Sequence, residues 1–209
     1  MSEGDREKWN ARWRERAGEL ELPAAFLEEH AALLPARGKA LDVAGGAGRH
    51  AVWLARRGLD VTLIDVSDVA ITRAERKAEG LGVPLRARRI DLDAPSELAP
   101  LYDLVVMIHY LNRERRDELA DLLVVGGVLV VAQPTVRNLE RHAHPSRGFL
   151  VDEGELEAWV RERGFEVLVA HEGWNVEGRH EAEVIARRLP APAPVRDPEP
   201  SSPSGGPYR

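Results

Sequence analysis

A glycine-rich turn is the segment of this sequence best suited to bind a ligand. Residues 40–50 read ALDVAGGAGRH, with a short apolar segment before the glycines and a helical pattern after them. Gly46, Gly48 and Ala51 fit the spacing G-x-G-x-x-(G/A), in which small residues let the backbone approach a cofactor. Asp65 stands nineteen residues after Gly46, near the spacing of a ribose-binding acid. The same residues could form only a tight turn, but the strand–turn–helix context favours ligand binding.

Carboxylates follow three successive predicted strands. Asp42 lies four residues before Gly46, Asp65 ends the second strand, and Asp91 and Asp93 end the third. A carboxylate beside a pyrophosphate is repulsive, whereas one beside an ammonium group is favourable. Doubly wound sheets bind ligands at the carboxyl ends of their strands. The carboxylates therefore favour a cofactor with amine, hydroxyl and cationic groups over a dinucleotide.

The elements that must position these residues alternate between apolar strands and helical patterns. The strands are rich in Val, Ile and Leu and mostly lack in/out alternation, which is typical of strands covered on both faces. This alternation predicts a parallel, doubly wound α/β sheet of Rossmann-like type. The predicted strands are Lys39–Val43, Asp60–Asp65, Leu85–Asp91, Tyr102–Ile108, Val124–Gln133, Phe165–His171 and Glu181–Arg187.

The last two predicted strands form an antiparallel hairpin, because only the turn-rich loop Glu172–His180 joins them. His180 is expected at the surface of that loop. Ser67 and Asn112 are predicted N-caps. The predicted helices are Asp5–Ala17, Leu22–Leu34, Gly48–Arg57, Ser67–Gly80, a short piece near Ser96–Pro100, Arg113–Leu122 and Asp152–Arg163.

Length and composition predict one domain and a tail. The chain has 209 residues, and residues 190–209 contain seven of its 14 prolines with few apolar side chains. We expect a folded domain over residues 1–189, with residues 1–37 as N-terminal helices, and a disordered tail over 190–209.

Composition also excludes several classes of function. The absence of cysteine excludes disulfides, thiolate nucleophiles and cysteine-ligated metals. The net charge of −6 argues against a nucleic-acid partner. A charged N-terminus and the lack of a long apolar run predict a cytoplasmic protein without a membrane partner.

The segment LDVAGGAGRHAVWLARRGLDVTLIDVS resembles the cofactor-binding motifs of class I S-adenosylmethionine-dependent methyltransferases. It is similar in particular to a small bacterial group that includes tellurite-resistance-type and thiol-type enzymes. The resemblance extends over about residues 8–188 and includes WNARW, YLNRE, GGVLVV and GFLVDEGELEAWVRERGFEV. It implies a seven-stranded sheet with a C-terminal hairpin. It also implies methyl transfer from S-adenosyl-L-methionine to a small-molecule acceptor by direct in-line displacement.

The resemblance implies a role for each matching position. Asp42 and the backbone of Ala44–Gly48 would line the methionine end of the cofactor, and Asp65 would accept hydrogen bonds from the ribose. His109 would lie next to the sulfonium. The other implied positions are Val66 and Leu92 against the adenine, Asp91 at the adenine amine, and Trp9, Arg12 and Trp13 in a segment that can close over the cofactor.

Ala44 departs from the family pattern, which has a glycine there. On sequence grounds the methyl group is tolerated if φ is negative and is not tolerated in a left-handed backbone.

The catalytic role of His109 has two interpretations. Methyl transfer requires alignment and exclusion of water, and a base only if the acceptor loses a proton. His109 is the best candidate base, or else it packs on the cofactor without a proton role. Tyr110 either lines the acceptor pocket or caps the strand. The sequence IHYL at 108–111 lacks the (N/D)-P-P-(Y/F) loop of DNA- and RNA-amine methyltransferases.

The loop 134–151 is predicted to cover the crevice, because long loops in compact domains are commonly functional. Its cationic side chains suggest an anionic acceptor, or else reflect the general arginine bias of the chain. His142 and His144 form too weak a motif to predict a metal. The cationic positions are Arg137, Arg141, His142, His144 and Arg147.

Two alternative functions remain open on the sequence. An NAD(P)-linked oxidoreductase would use the same glycine turn, but neither Tyr102 nor Tyr110 has the lysine four residues later that short-chain dehydrogenases require. A non-catalytic protein that binds S-adenosylmethionine is the other alternative.

Overall fold

The computed structural model describes residues 3–16, 22–94, 98 and 101–191. The predicted short helix at Ser96–Pro100 lies outside these ranges apart from Leu98. The predicted proline-rich tail lies outside them beyond Ala191. Within the described residues, no helix has the length and apolar character needed to cross a membrane.

A seven-stranded sheet organises the described part of the chain, with the strand order β3-β2-β1-β4-β5-β7-β6. The first five strands are parallel, and β7 runs antiparallel to both β5 and β6. The predicted fold class is therefore confirmed. The strands are β1 (Lys39–Val43), β2 (Asp60–Asp65), β3 (Arg86–Arg89), β4 (Tyr102–Ile108), β5 (Leu123–Pro134), β6 (Phe165–Trp174) and β7 (His180–Arg188).

Helices α3 (Arg49–Arg56), α4 (Asp68–Gly80) and α5 (Arg116–Ala120) follow β1, β2 and β4, and helices cover both faces of the sheet. Ser67 caps α4 as predicted, because its hydroxyl oxygen accepts a hydrogen bond from the Ala70 N–H. The Asn112 side chain instead accepts from Glu114 and Arg115, in a turn that precedes a shorter α5 than expected. The helices are α1 (Glu3–Glu15), α2 (Ala25–Glu29), α3 (Arg49–Arg56), α4 (Asp68–Gly80), α5 (Arg116–Ala120) and α6 (Glu155–Glu162).

Apolar side chains are buried on both faces of the central strands, which explains why those strands lack in/out alternation. On one face, Leu41, Val105 and Leu129 pack with Trp159 of α6. On the other face, Ala40, Leu104 and Val130 pack with residues of α2, α3 and α4. This packing fixes the strand ends relative to one another.

Polar contacts hold α1 against the N-terminus of α4. Asn10 is the buried residue of α1, and its side-chain oxygen accepts from the Ser67 hydroxyl at 2.6 Å and from the Val69 N–H at 3.2 Å. The Arg6 guanidinium donates to the Asp68 carboxylate at 2.6 Å. A buried polar group that loses its partner costs about 1–3 kcal/mol. Asn10 therefore stabilises the docked position of α1.

We predict that Asn10→Ala detaches α1 without unfolding the sheet, because it leaves the Ser67 hydroxyl without its acceptor. Hydrogen exchange should become faster for the α1 amides, with those of β1 unchanged. Glu7→Ala, at an exposed position of α1, is the matched control and should leave exchange as in the wild type. Unchanged protection of α1 in Asn10→Ala would contradict this assignment.

Candidate active site

The carboxyl ends of β1, β2 and β4 lie side by side at one edge of the sheet, which we call the crevice. β1 lies between β2 and β4, so the direction of strand order reverses at the β1–β4 pair, where doubly wound folds bind ligands. The Gly46 N–H donates to Asp65 Oδ2 at 2.9 Å, and the Ser67 N–H donates to Asp65 Oδ1 at 2.8 Å. Burial raises the pKa of Asp65, although these two N–H groups oppose that rise.

Asp42 supports the start of α3. Its side chain is 1% exposed, and Oδ2 accepts from the Ala51 N–H at 3.0 Å. The Nδ1 atom of His50 lies 3.9 Å from Asp42 Oδ1, and burial lowers the pKa of His50. A carboxylate at a helix N-terminus is stabilised by the helix dipole. Asp42 thus places its charge directly beneath the glycine turn.

The Trp13 ring lies against the glycine turn. A Cβ atom on Gly46 would lie 2.4 Å from Trp13 Cζ2, closer than any real contact, and the φ of Gly46 is +56°. Only glycine fits this backbone beneath the ring. Arg73 holds the indole in place, since its guanidinium donates to the Trp13 carbonyl at 2.9 Å and lies 5.4 Å from the ring centre.

Two residues beside the crevice adopt left-handed backbone conformations. Ala44, directly after β1, has a φ of 52°, and His109, directly after β4, has a φ of 60°. They are the non-glycine residues with positive φ in the described ranges. The expectation that Ala44 tolerates only a negative φ is therefore wrong. An L-residue pays about 1–2 kcal/mol for this conformation, a cost that the surrounding structure bears.

The predicted adenine-side positions follow β2 and β3. Val66 and Leu92 are buried, with Leu92 packed in the core cluster that contains Leu41 and Val43. The Ile90 N–H donates to the Asp65 carbonyl at 2.9 Å, which places the adjoining Asp91 beside the end of β2. Asp91 Oδ1 accepts from the Asp93 N–H at 2.9 Å.

Glu181 is a site residue that the sequence reasoning missed. Its Oε1 atom lies 2.7 Å from His109 Nε2, and its Oε2 atom accepts from Asn175 Nδ2 at 2.9 Å. The neighbouring His180, expected at the surface, is buried and bonds to the Thr135 hydroxyl at 2.8 Å. A carboxylate at the start of a strand with an apolar centre was the available signal.

A cavity of about 440 Å³ opens between the segment after β4 and the loop after β5. Tyr110 is adjacent, and burial together with the nearby Asp93 raises its pKa. Its hydroxyl group is buried without a hydrogen-bond partner among the described residues. The cavity is lined by Asp93, Leu111, Asn112, Arg113, Glu114, Arg115 and Gly148.

Glu155 of α6 binds Arg113, one of the residues that line the cavity. The Arg113 guanidinium donates to both carboxylate oxygens of Glu155, at 2.8 and 2.6 Å, and Arg116 donates at 2.8 Å. Burial alone would raise the pKa of Glu155, but hydrogen bonds from Arg113, the Asp152 N–H and Arg116 lower it to about 2.

The cationic loop over residues 134–151 forms mostly local contacts. Arg137 pairs with Glu140 at 2.9 Å, and Arg147 pairs with Asp152 at 2.6 Å. The Arg141 guanidinium lies 3.7 Å from the centre of the Trp174 ring. His142 Nε2 lies 2.8 Å from the Gly178 carbonyl oxygen. The contacts of Arg141 and His142 connect the loop to the β6–β7 hairpin.

We predict that Ala44→Gly raises the free energy of unfolding by about 1 kcal/mol, because glycine adopts the left-handed backbone without a Cβ penalty. Ala47→Gly, in the same turn but at a position without positive φ, should lower it by about 0.5–1 kcal/mol. Urea denaturation of the two variants measures both effects. A loss of stability in Ala44→Gly would contradict the strain assigned to this residue.

We predict that Glu155→Gln lowers the free energy of unfolding by about 1–3 kcal/mol at pH 7, after allowance for solvent screening. The pKa of Glu155 is depressed in the folded state, so its contribution is complete above about pH 4.5 and is lost as the pH falls through about 2. The difference between the variant and the wild type should therefore vanish in acid. The control is Glu162→Gln, at an exposed position of the same helix. A difference in unfolding free energy between Glu155→Gln and the wild type that does not change with pH would refute the assignment.

Residues 40–127 match a protein family described as a methyltransferase domain. No curated protein matches the chain significantly. The fold resembles TehB from Haemophilus influenzae with a TM-score of 0.65 and 21% identity, over 86% of this chain and 67% of that chain.

Two further solved structures have the same fold. Magnesium protoporphyrin IX methyltransferase from Synechocystis PCC 6803, with bound S-adenosylhomocysteine, gives a TM-score of 0.66 and 18% identity, over 88% of this chain and 98% of that chain. A S-adenosylmethionine-dependent methyltransferase from Aquifex aeolicus gives a TM-score of 0.62 and 18% identity, over 90% and 100% of the respective chains. The predicted resemblance is thus confirmed: residues 40–127 match a methyltransferase domain, and the fold is that of the S-adenosylmethionine-dependent methyltransferases.

Proposed function

We propose that the chain transfers the methyl group of S-adenosyl-L-methionine to a small-molecule acceptor at the crevice formed by β1, β2 and β4. The observation that carries this proposal is the Asp65 carboxylate, which ends β2 and is bonded to the Gly46 N–H at 2.9 Å. Each Asp65 oxygen accepts one backbone N–H and keeps further lone-pair capacity. The residue can therefore also accept hydrogen bonds from a ribose diol.

The other polar groups of the crevice suit the remaining parts of this cofactor. The buried charge of Asp42 beneath the turn favours the ammonium group of the methionine moiety. Asp91, beside the end of β2, suits an adenine amine. Trp13 and Val66 supply apolar surface. The proposed cofactor-binding residues are Trp13, Asp42, Ala44, Gly45, Gly46, Gly48, Asp65, Val66, Asp91, Leu92 and His109.

The chemistry asks the protein mainly to orient its ligands. When bound, S-adenosylmethionine supplies an already activated methyl group on a sulfonium. The glycine turn, Asp65 and Trp13 would hold the donor and exclude water from it. His109, which follows β4 and is exposed, is the proposed group that acts on the acceptor.

We propose that the acceptor occupies the cavity of about 440 Å³ beside Tyr110. Both signs of charge line it, with Arg113 and Arg115 opposed by Asp93 and Glu114. Because Arg137 and Arg147 of the loop are paired with carboxylates, the loop offers little support for an anionic acceptor. The size of the cavity suits a small molecule.

We predict that Asp65→Ala abolishes the rise in Tm that S-adenosylhomocysteine causes in the wild type, because a ligand stabilises only a protein that binds it. NADH should cause no rise in either protein. Thermal unfolding of the wild type and of Asp65→Ala in the presence of each ligand measures these changes in Tm.

Asp60→Ala is the control. Asp60 begins β2, at the end of the strand opposite Asp65, and pairs with Arg86. Its replacement should leave the ligand-induced rise in Tm intact. A rise in the Tm of the wild type with NADH and none with S-adenosylhomocysteine would contradict the proposed function. A full response in Asp65→Ala would refute the ribose assignment.

A further inference from the structure

We infer that Glu181 is a positioning residue that holds His109 as a proton acceptor, so that the methyl acceptor is a hydroxyl or thiol compound that loses its proton. This inference rests on the proposed function and names the substrate class of the same site. It is carried by the contact between the two side chains and by the polar groups around Glu181.

The contact reaches across one strand of the sheet. His109 follows β4, and its backbone N–H donates to the Ala132 carbonyl of β5 at 2.9 Å. Glu181 lies on β7 opposite Pro134 of β5. The left-handed backbone of His109 accompanies the approach of Nε2 to Glu181 Oε1 at 2.7 Å. A strained residue of this kind persists only where its surroundings determine it.

The β6–β7 hairpin fixes Glu181 in turn. Asn175 Nδ2 donates to Oε2 at 2.9 Å, and Arg179 Nε lies 3.1 Å from Oε1. The Asn175 side chain also accepts from the Glu177 and Arg179 N–H groups, which shapes the hairpin turn. Burial alone would raise the pKa of Glu181, but His109, Arg179 and Asn175 lower it. Glu181 is therefore ionised at neutral pH.

An ionised carboxylate accepts hydrogen bonds only, so Nε2 of His109 must carry the hydrogen. The lone pair of the neutral ring is then on Nδ1, and a carboxylate partner stabilises the imidazolium that forms when Nδ1 takes up a proton. The His109 side chain is 29% exposed, whereas that of Glu181 is 7% exposed. The pair thus has one buried member and one that solvent and ligands can reach.

The charged and titratable groups around the pair come from three elements. Glu181 contacts His109 from β7, and Arg179 contacts Glu181 from the hairpin. His50 of α3 interacts electrostatically with His109, as Glu183 of β7 does with Glu181. Burial lowers the pKa of His50, so His50 is neutral at pH 7 and does not repel a proton on His109. Glu181 is therefore the charged group in direct contact with the His109 ring.

The step balances as a displacement with proton removal. His109 Nδ1 takes the proton from the O–H or S–H group of the acceptor, and a lone pair of that oxygen or sulfur forms the bond to the methyl carbon. The bond between the methyl carbon and the sulfonium sulfur breaks, and its electron pair stays on that sulfur. The proton remains on His109, beside Glu181, until water removes it.

Histidine ring nitrogen NMR on the full chain tests the inference without an acceptor. Wild-type His109, identified by loss of its signals in His109→Gln, should show the Nε2–H tautomer when neutral. In Glu181→Gln the Nε2–H signature should be lost or mixed with that of the Nδ1–H tautomer, because the partner that only accepts hydrogen bonds is gone. An Nδ1–H tautomer in the wild type would overturn the inference even if the variant failed to fold.

Glu183→Gln is the matched control. Glu183 lies two residues further along β7 and pairs with His171 at 3.1 Å, so the change removes a comparable carboxylate–histidine contact. It should leave the signals of His109 unchanged. An unchanged His109 tautomer in Glu181→Gln, with S-adenosylhomocysteine still bound, would overturn this inference alone. A normal His109 signature without adenosyl-ligand binding would instead overturn the proposed function.

Formation of S-adenosylhomocysteine with chemically simple probes tests the acceptor class. Catechol and 2-mercaptoethanol carry the required proton at pH 7, and dimethyl sulfide does not. We expect turnover of at least one proton-bearing probe, with a tenfold or greater loss of kcat in Glu181→Gln at pH 7. Turnover of dimethyl sulfide, or of neither proton-bearing probe, would overturn the acceptor class.

Discussion

The hydrogen bond from the Gly46 N–H to the Asp65 carboxylate is the contact on which the arrangement of the crevice depends. It connects the turn after β1 to the end of β2, and it requires the parallel register that pairs Asp42 with Leu63 and Val43 with Ile64. Because the apolar core fixes that register, burial far from the crevice determines the geometry within it. The site is therefore a property of the sheet as much as of its loops.

Strain at the crevice is the second feature that links fold and function. Ala44 and His109 follow the neighbouring strands β1 and β4 and both have positive φ. Each conformation costs about 1–2 kcal/mol, which the packing of the two strands must offset. For Ala44 the cost shapes a backbone turn, and for His109 it accompanies the contact with Glu181. The β6–β7 hairpin, through Glu181 and Asn175, thereby becomes part of the site.

Most of the fold could be predicted from the sequence, because the local pattern carries it. The bounds of β1, β2 and β4 agree with prediction, since each is a mostly apolar segment of strand length. The partner of His109 could not be predicted in this way, because Glu181 lies 72 residues further along the chain. The pairing of Arg137 with Glu140 and of Arg147 with Asp152 was missed for a different reason. These carboxylates are close in sequence, but the composition of the loop does not reveal which carboxylate an arginine contacts.

The structure of the chain crystallised with S-adenosylhomocysteine tests the central claim most directly. The account predicts the ribose hydroxyls within hydrogen-bond distance of both Asp65 oxygens and the thioether sulfur next to His109. The adenine should lie between Val66 and Asp91, with the glycine turn beneath the methionine moiety. A ligand bound away from the carboxyl ends of β1 and β2, or bound there with Asp65 still in contact only with backbone N–H groups, would contradict the account.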